Sequence, residues 1–351
     1  MERSSILSTL VAGKPRFKVH YAWIYVTERC NLRCEYCFFR HRQRRDISLE
    51  FVRKLFLLFE RQQTAPVTLI FSGGEPFLAR EKLFKILNEA HRRFPKTALH
   101  IQTNGSLIDE ASIKQLRRLN VSLEFGIDGG CEQTLRHRHG LKPGSFKHLT
   151  DTIRACRKAG ISCGCTMTIH PDEVQHMAEG LKFIQTLGIS RVDVTPAAFM
   201  PWTPQNILLF KKNYLALARQ AVVELFYVRD DMEWIKSGVM DLSLHPPGHL
   251  LGGDPFLCLP EIKRKEFSLW EDSSGEFKPE VLSYYQGAYA RMYRKNELVS
   301  YRKHVAQSFD LVNAMMEEHY MNTAELNEIL RFMARIHRSL RIKNTQHDKK
   351  N

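Results

Sequence analysis

The sequence predicts an α/β fold: an open barrel of six strand–helix units followed by a mostly helical extension. Three observations predict it. From residue 21 onward short apolar runs alternate with amphipathic ones, the pattern of strands and helices wrapped into a parallel sheet. The amphipathic runs stop at Pro95, Gly160 and Gly188, residues that end helices. Beyond Pro196 the alternation is replaced by long helical segments. Six units close about three quarters of a barrel, so functional groups are expected at the carboxyl ends of the strands, as in complete barrels.

The strands are read near residues 22–26, 67–71, 98–103, 121–127, 162–169 and 191–195. Ser48 is a cap for the first helix, where Phe51, Val52, Leu55, Phe56 and Phe59 recur at helical spacing and give one face to the sheet. Further helices are expected over 80–94, 145–159 and 171–187. Past the barrel, helices are expected over 204–228 and 280–318, with a Pro/Gly-rich stretch over 244–260 between them. A hairpin over 266–277 turns at Asp272 to Gly275, and a last amphipathic helix over 323–342 is capped by Asn322. This gives an N-terminal segment over 1–20, a core over 21–240 and a C-terminal extension over 241–351.

At 351 residues, 43% of them hydrophobic, the chain can bury a substantial core. It has no run of about 18 apolar residues, so no membrane span is expected. The mildly apolar stretch 4–13 is short and lacks a convincing cleavage site, which points to a cytoplasmic protein. Eight cysteines in a chain of this length do not form a disulfide framework. Cys156, Cys163 and Cys165 fall in helix- and strand-like patterns and read as core thiols, while Cys131 follows the loop at Gly130. Lys and Arg number 52 against 38 Asp and Glu, a net charge of +14. That excess permits nucleic-acid binding or an acidic substrate without proving either. Arg40, Arg42, Arg44 and Arg45 form its densest group, either a solvated face or a guide for an anion.

Cys30, Cys34 and Cys37, spaced C-x-x-x-C-x-x-C, carry the most information in the chain. A cluster of four irons and four sulfides is usually held by four thiolates. Three leave one iron open to a ligand that is not protein, as open metal sites are in catalysis. The competing readings are a zinc site, which needs a fourth distant ligand, or three buried free thiols. Two other groupings bear on chemistry. Gly73 and Gly74 follow a strand, where missing side chains let a ligand come close to backbone carbonyls. Thr103 and Asn104 end the next strand and offer a hydroxyl and an amide suited to a ribose or adenine edge, or simply to a turn.

Taken together these residues resemble the radical S-adenosylmethionine (radical SAM) superfamily. The cysteine triplet with Tyr36 before its third member, Ser72-Gly73-Gly74-Glu75-Pro76, Thr103-Asn104-Gly105 and Gly126-Ile127-Asp128-Gly129 match its motifs in order over about residues 20–200. The resemblance implies a partial (βα)6 TIM-like barrel of the radical SAM type. It implies one 4Fe–4S cluster on Cys30, Cys34 and Cys37, and S-adenosylmethionine as second cofactor. Tyr36, Gly73, Gly74, Glu75, Thr103, Asn104, Asp128 and Arg138 become the cofactor-binding candidates; Gly73 and Gly74 would receive the methionine ammonium and Arg138 would face the carboxylate. A flavodoxin- or ferredoxin-type electron donor is implied as a partner. The chain also resembles the SPASM/twitch branch that matures peptides and sulfatases, but departs from it beyond residue 165, where Cys258 is the one cysteine left and cannot hold an auxiliary cluster.

What the resemblance implies for activity is a one-electron cleavage of S-adenosylmethionine to a 5′-deoxyadenosyl radical that takes hydrogen from a substrate, expected to be a ribosomally made peptide or protein. Without an auxiliary electron acceptor, outcomes that return hydrogen, such as epimerisation, fit better than net oxidation; cross-linking is another outcome in this branch. Cys258 is the candidate hydrogen donor for that return, against its reading as a buried apolar thiol in Pro-Phe-Leu-Cys-Leu. An enzyme modifying RNA or a small molecule is the rival within enzymes, although interleaved aromatic and basic surface is lacking. A metal-dependent binding protein is the rival outside them.

Overall fold

The computed structural model describes residues 18–37, 45–61, 65–197 and 200–218, with short pieces at 223–224, 239–245, 266–271, 277–280, 328–329 and 332–333. Short, largely buried runs form its parallel strands, as a sheet covered by helices demands. These are β1 (Lys18–Thr27), β2 (Thr68–Gly73), β3 (Ala98–Thr103), β4 (Val121–Gly126), β5 (Cys163–Ile169) and β6 (Arg191–Pro196). They lie side by side in chain order, each parallel to the next. Sequential order with helical crossovers is the right-handed βαβ path expected of such units. This is the partial barrel that the sequence predicts.

The crossovers are α1 (Leu49–Arg61), α2 (Arg80–Arg93), α3 (Glu110–Arg118), α4 (Cys131–His137), α5 (Pro143–Lys158) and α6 (Met177–Thr186). Ser48 caps α1 as its sequence position suggests, its Oγ accepting from Phe51 N at 3.0 Å. Asp109 does the same for α3, accepting from Ser112 N at 2.8 Å. Phe51, Val52, Leu55, Phe56 and Phe59 are all buried against the sheet. The helix expected over 171–187 is instead a 3-10 turn, Pro171–His176, followed by α6. His170 causes the break, since its ring accepts from Asp172 N at 3.2 Å and starts a tighter turn.

On the far side of β6, α7 (Pro204–Ala218) covers the sheet and buries Phe210 and Tyr214, rings stacked with centroids 5.7 Å apart. The expectation of one helix over 204–228 is corrected here: α7 ends at Ala218 and Val223–Glu224 pairs as a strand with β6. Ile329 and Met333 join the core beside α7, where Lys211 contacts Glu328 and lies over Phe332.

At the other edge, the strand Val239–His245 adds parallel to β1, and Glu266–Glu271 adds parallel to that strand. Glu266–Glu271 also pairs antiparallel with Phe277–Glu280, the arms of a hairpin. Most of the expected helices over 280–318 and 323–342, and Cys258, lie outside the described residues. Phe71 sits in the middle of the sheet with no exposed surface. Phe71→Ala is expected to destabilise the protein by about 3–5 kcal/mol, read from the shift in a urea unfolding curve.

Candidate functional site

The carboxyl ends of β1 to β4 carry the cysteine loop and the three motif segments, and the structure brings all four together. The cysteine loop leaves β1 at Thr27 and is anchored on both sides. Thr27 Oγ1 donates to Asp46 Oδ1 at 2.6 Å, and Arg29 holds the same carboxylate with two bonds of 3.0 and 2.9 Å. Arg29 also reaches Leu78 O, beyond β2, at 3.2 Å. Bidentate pairs of this kind fix geometry as well as charge. Asp46 was not singled out from the sequence; its one signal is a short acidic residue just ahead of the Ser48 cap.

The glycines after β2 serve this anchoring. Gly73 has φ +132°, and a Cβ there would stand 2.2 Å from Thr27 O. A Cβ on Gly74 would meet Arg29 O at 2.3 Å and Glu28 O at 2.7 Å. The space a side chain would need is taken here by the protein's own backbone, with Gly74 N bonded to Thr27 O and Glu75 N to Arg29 O, each 2.8 Å. The Gly-Gly pair therefore sets how closely the loop after β2 approaches the cysteine loop.

Glu75, fully buried, spends both carboxylate oxygens inside the protein. Oε1 accepts from Phe77 N at 3.1 Å and Thr103 Oγ1 at 2.8 Å, and Oε2 accepts from Asn104 N at 2.8 Å. Its immediate task is to tie the end of β2 to the end of β3. Burial pushes its pKa up to about 7, against the three donors that favour the ionised form. Asn104 in turn gives Nδ2 to Asn31 Oδ1 at 2.9 Å and approaches Cys30 Sγ at 3.9 Å, while Leu32 N donates to the same sulfur at 3.4 Å. The Thr-Asn-Gly segment thus touches the first cysteine directly.

Asp128, at the end of β4, forms a second buried contact. Arg138 Nε and Nη2 donate to its two oxygens at 2.8 and 2.7 Å, Tyr36 Oη donates to Oδ2, and Thr168 N donates to Oδ1 at 3.0 Å. The Arg138 guanidinium lies over the Tyr36 ring at 5.6 Å. Burial opposes the Arg138 charge, yet Asp128 holds its pKa above the ordinary arginine value. Arg138, expected to face a cofactor carboxylate, thus has two of its nitrogens committed to a carboxylate of the protein. A short antiparallel ladder completes the link, Arg33 opposite His139 and Cys34 opposite Arg138, with Glu35 N bonded to His137 O at 2.9 Å.

Cys30, Cys34 and Cys37 are half-buried cysteines on one loop, with Cys37 N bonded to Cys34 O at 3.1 Å. Burial pushes the Cys34 thiol up to about 12, while Arg138 pulls it down and the other two cysteines raise it, so the three thiols sense one another. Among the described residues, the metal-type group gathered within 4.8 Å is Glu35, His137 and His170, none of the three cysteines. The thiols are spread more widely, which suits a cage of several irons better than a single zinc ion. Three thiolates and amide donors at the sulfur of Cys30 fit a 4Fe–4S cluster with one open iron. Of the remaining cysteines, Cys156 and Cys165 are buried as expected, whereas Cys163 is half-buried because it opens β5 at its rim. Cys131 is exposed at the start of α4. Arg40, Arg42 and Arg44 lie outside the described residues. No helix among the described residues is long and apolar enough to cross a membrane.

Asp128→Ala leaves the Arg138 charge buried without its partner, and the expected cost is about 3–5 kcal/mol in urea unfolding. A second expectation concerns pH. Glu75 has a folded pKa of about 7 against 4.5 unfolded, so the folded state holds the extra proton between those values. Its contribution to stability is present at the acid end and is lost as pH rises through about 7. Unfolding curves of Glu75→Gln, referenced to the unaltered protein, are expected to lack this downward slope; identical slopes in the two proteins would refute it.

The comparisons with known proteins agree with this geometry. Residues 24–184 match the model of the Radical SAM superfamily. The chain is 29% identical over 174 residues to an Fe-coproporphyrin III synthase of Methanosarcina barkeri, covering 48% of this chain and 41% of that one. It is 23% identical over 171 residues to a cysteine-type anaerobic sulfatase-maturating enzyme of Clostridium novyi, covering 45% and 46%. In fold it resembles the crystal structure of Streptococcus suis SuiB bound to precursor peptide SuiA, at TM-score 0.50 and 15% identity over 73% of this chain and 58% of that one. The chain spans about half the length of the curated relatives it matches. A 4Fe–4S cluster and S-adenosylmethionine are the cofactors of the matched superfamily. The cysteine triplet, the three strand-end motifs and the partial barrel all fall in the stretch, residues 24–184, over which the chain is similar to the radical SAM superfamily.

Proposed function

We propose that this protein cleaves S-adenosylmethionine reductively and uses the product to abstract hydrogen from a ribosomally made peptide or protein. The observation that carries the reading is the convergence of three cysteines with the ends of β2, β3 and β4 at the carboxyl end of the parallel sheet. Cys30, Cys34 and Cys37 would hold the cluster, which when bound supplies one electron to S-adenosylmethionine and so generates the 5′-deoxyadenosyl radical that takes the hydrogen.

The chain's own residues prepare that step. Gly73 and Gly74 set the distance between the loop after β2 and the cysteine loop. Glu75 fixes the backbone of Asn104, and Asn104 meets the first cysteine. The Asp128–Arg138 pair, with Tyr36 on it, holds the second and third cysteines against β4 and β5. Gly73, Gly74, Glu75, Thr103, Asn104, Asp128, Tyr36 and Arg138 thereby act on the cofactor largely through the shape they impose, which is the preorganisation a reactive radical requires.

The peptide or protein substrate is supported by the sulfatase-maturating relative. The Fe-coproporphyrin III synthase relative keeps a small molecule as the second reading of the same site. A flavodoxin- or ferredoxin-type donor would deliver the electron, and a cytoplasmic site of action fits an oxygen-sensitive centre. Cys258 stays a proposed hydrogen donor, from its sequence alone.

Anaerobic reconstitution with iron and sulfide, reduction by dithionite and addition of S-adenosylmethionine are expected to release 5′-deoxyadenosine from the full chain. Cys34→Ala is expected to release none above background. Equal release from both proteins would overturn the proposal.

A further inference from the structure

Next to the cysteine loop the structure gathers a second set of metal-type ligands that the radical reading leaves unused. One donor atom each from Glu35, His137 and His170 lie within 4.8 Å of one another. His137 Nδ1 stands 2.6 Å from Glu35 Oε2, and the rings of His137 and His170 stack with centroids 3.8 Å apart at 16°. Behind them, Glu173 Oε1 lies 3.9 Å from His137 Nε2 and is held by Arg136. His137, His170 and Glu173 are 6%, 6% and 7% exposed.

Three atoms of this cluster, His137 Nε2, His170 Nε2 and Glu173 Oε2, have no hydrogen-bond partner among the described residues. Each such orphan costs about 1–3 kcal/mol, and folded interiors hold few of them. Protonating both rings does not remove the cost. Two stacked imidazolium cations repel, and neither Nε2–H has an acceptor within bonding distance. Of these, His170 Nε2 stands beside the Glu35–His137 pair and calls for a partner that is not protein.

We propose that Glu35, His137 and His170 bind a single divalent transition-metal ion, with Glu173 orienting His137 from behind. Two imidazoles and a carboxylate are the donor set of zinc and non-haem iron(II) sites, while magnesium and calcium prefer oxygen alone. The ion takes the place of the proton now shared by His137 Nδ1 and Glu35 Oε2. The His137 Nε2–H then faces Glu173, the carboxylate–histidine–metal arrangement that fixes a ring's tautomer. His170 binds through its unpartnered Nε2, and its Nδ1–H faces Asp172 Oδ2, 3.5 Å away, in place of the bond it accepts from Asp172 N. Donors to one ion at about 2.0–2.2 Å stand within about 4.4 Å of each other. Loading therefore draws the three together slightly and turns the rings out of their stack. Because Glu35 lies between Cys34 and Cys37, the ion pins the cysteine loop to α4 and to the turn after β5.

The experiment uses tag-free full chain carrying Cys30→Ala, Cys34→Ala and Cys37→Ala, so its outcome is independent of cluster chemistry and of the proposed radical reaction. Co2+ is the probe, titrated anaerobically and followed by its visible ligand-field bands and by metal analysis after dialysis. The proposal expects one Co2+ per chain with bands of a nitrogen and oxygen site. It expects His170→Ala to weaken binding at least about tenfold, and Glu173→Gln by roughly tenfold, the scale of lost ligands and outer partners. His170→Asn serves where His170→Ala does not fold, and exposed His91→Ala is the control expected to bind normally. Absence of bound Co2+ in the chain carrying the three alanines, or affinity unchanged by the folded His170 variant, would overturn the proposal.

Discussion

The buried pair of Asp128 and Arg138 is the contact on which the site depends. It stands at the end of β4, receives a bond from the backbone of β5, and supports the Tyr36 hydroxyl from the cysteine loop. Arg138 also faces Cys34 across the short ladder. Four pieces of chain distant in sequence therefore share one carboxylate. An ion pair buried this deeply is weak evidence for extra stability, because desolvation offsets much of the attraction. Its effect is on position: Tyr36 on Asp128 and the Cys34–Arg138 ladder place the cysteine loop against the pair.

A second tie acts beside it by packing and hydrogen bonding. Gly73 and Gly74 allow backbone to lie on backbone at a distance that any side chain would prevent. Glu75 then binds the end of β3 through three donors. The two ties share no residue, yet both end at the cysteine loop, one at Cys30 and the other near Cys34 and Cys37. Holding three thiols from two sides is a means of keeping them spread for a multi-iron cluster before it is assembled. Burial raises the Cys34 thiol, so its ionisation calls for a compensating positive charge, which a bound metal would supply.

Similarity to the radical SAM superfamily over residues 24–184 accounts for the conjunction of partial barrel, triplet and strand-end motifs, and leaves open to proposal what the barrel acts upon. The matched relatives include proteins named for a porphyrin product and for sulfatase maturation, and this chain spans about half of the curated relatives it matches. One fold hosting several substrates is usual when the chemistry belongs to the cofactor and the specificity to loops and added segments. In this chain the strands added beside β1, Val239–His245 and the hairpin of Glu266–Glu271 with Phe277–Glu280, extend the sheet on the side of the cysteine loop's own strand.

The six core strands, the capped first helix and the identity of the three cysteines were legible in the sequence, because apolar periodicity, cap chemistry and ligand spacing are local signals. The breaks were harder to see. Residues 204–228 read as one helix, and pairing of Val223–Glu224 with β6 became visible only once β6 was in place. His170 carries no local mark of a helix start, yet its ring redirects the chain into a 3-10 turn. The motif residues were identified by type, but their immediate partners were not: Asp128 and Arg138 are 10 apart and Glu75 and Asn104 are 29 apart. Likewise Glu35 meets His137 across 102 residues, a distance over which spacing conveys nothing. Sequence alone determined which atoms were available for metal chemistry, since ligand type is a property of the residue. Tertiary structure decided which of them face each other and which bind one another, since only folding brings distant carboxylates, guanidinium and imidazoles into one poorly hydrated space where each must find a partner.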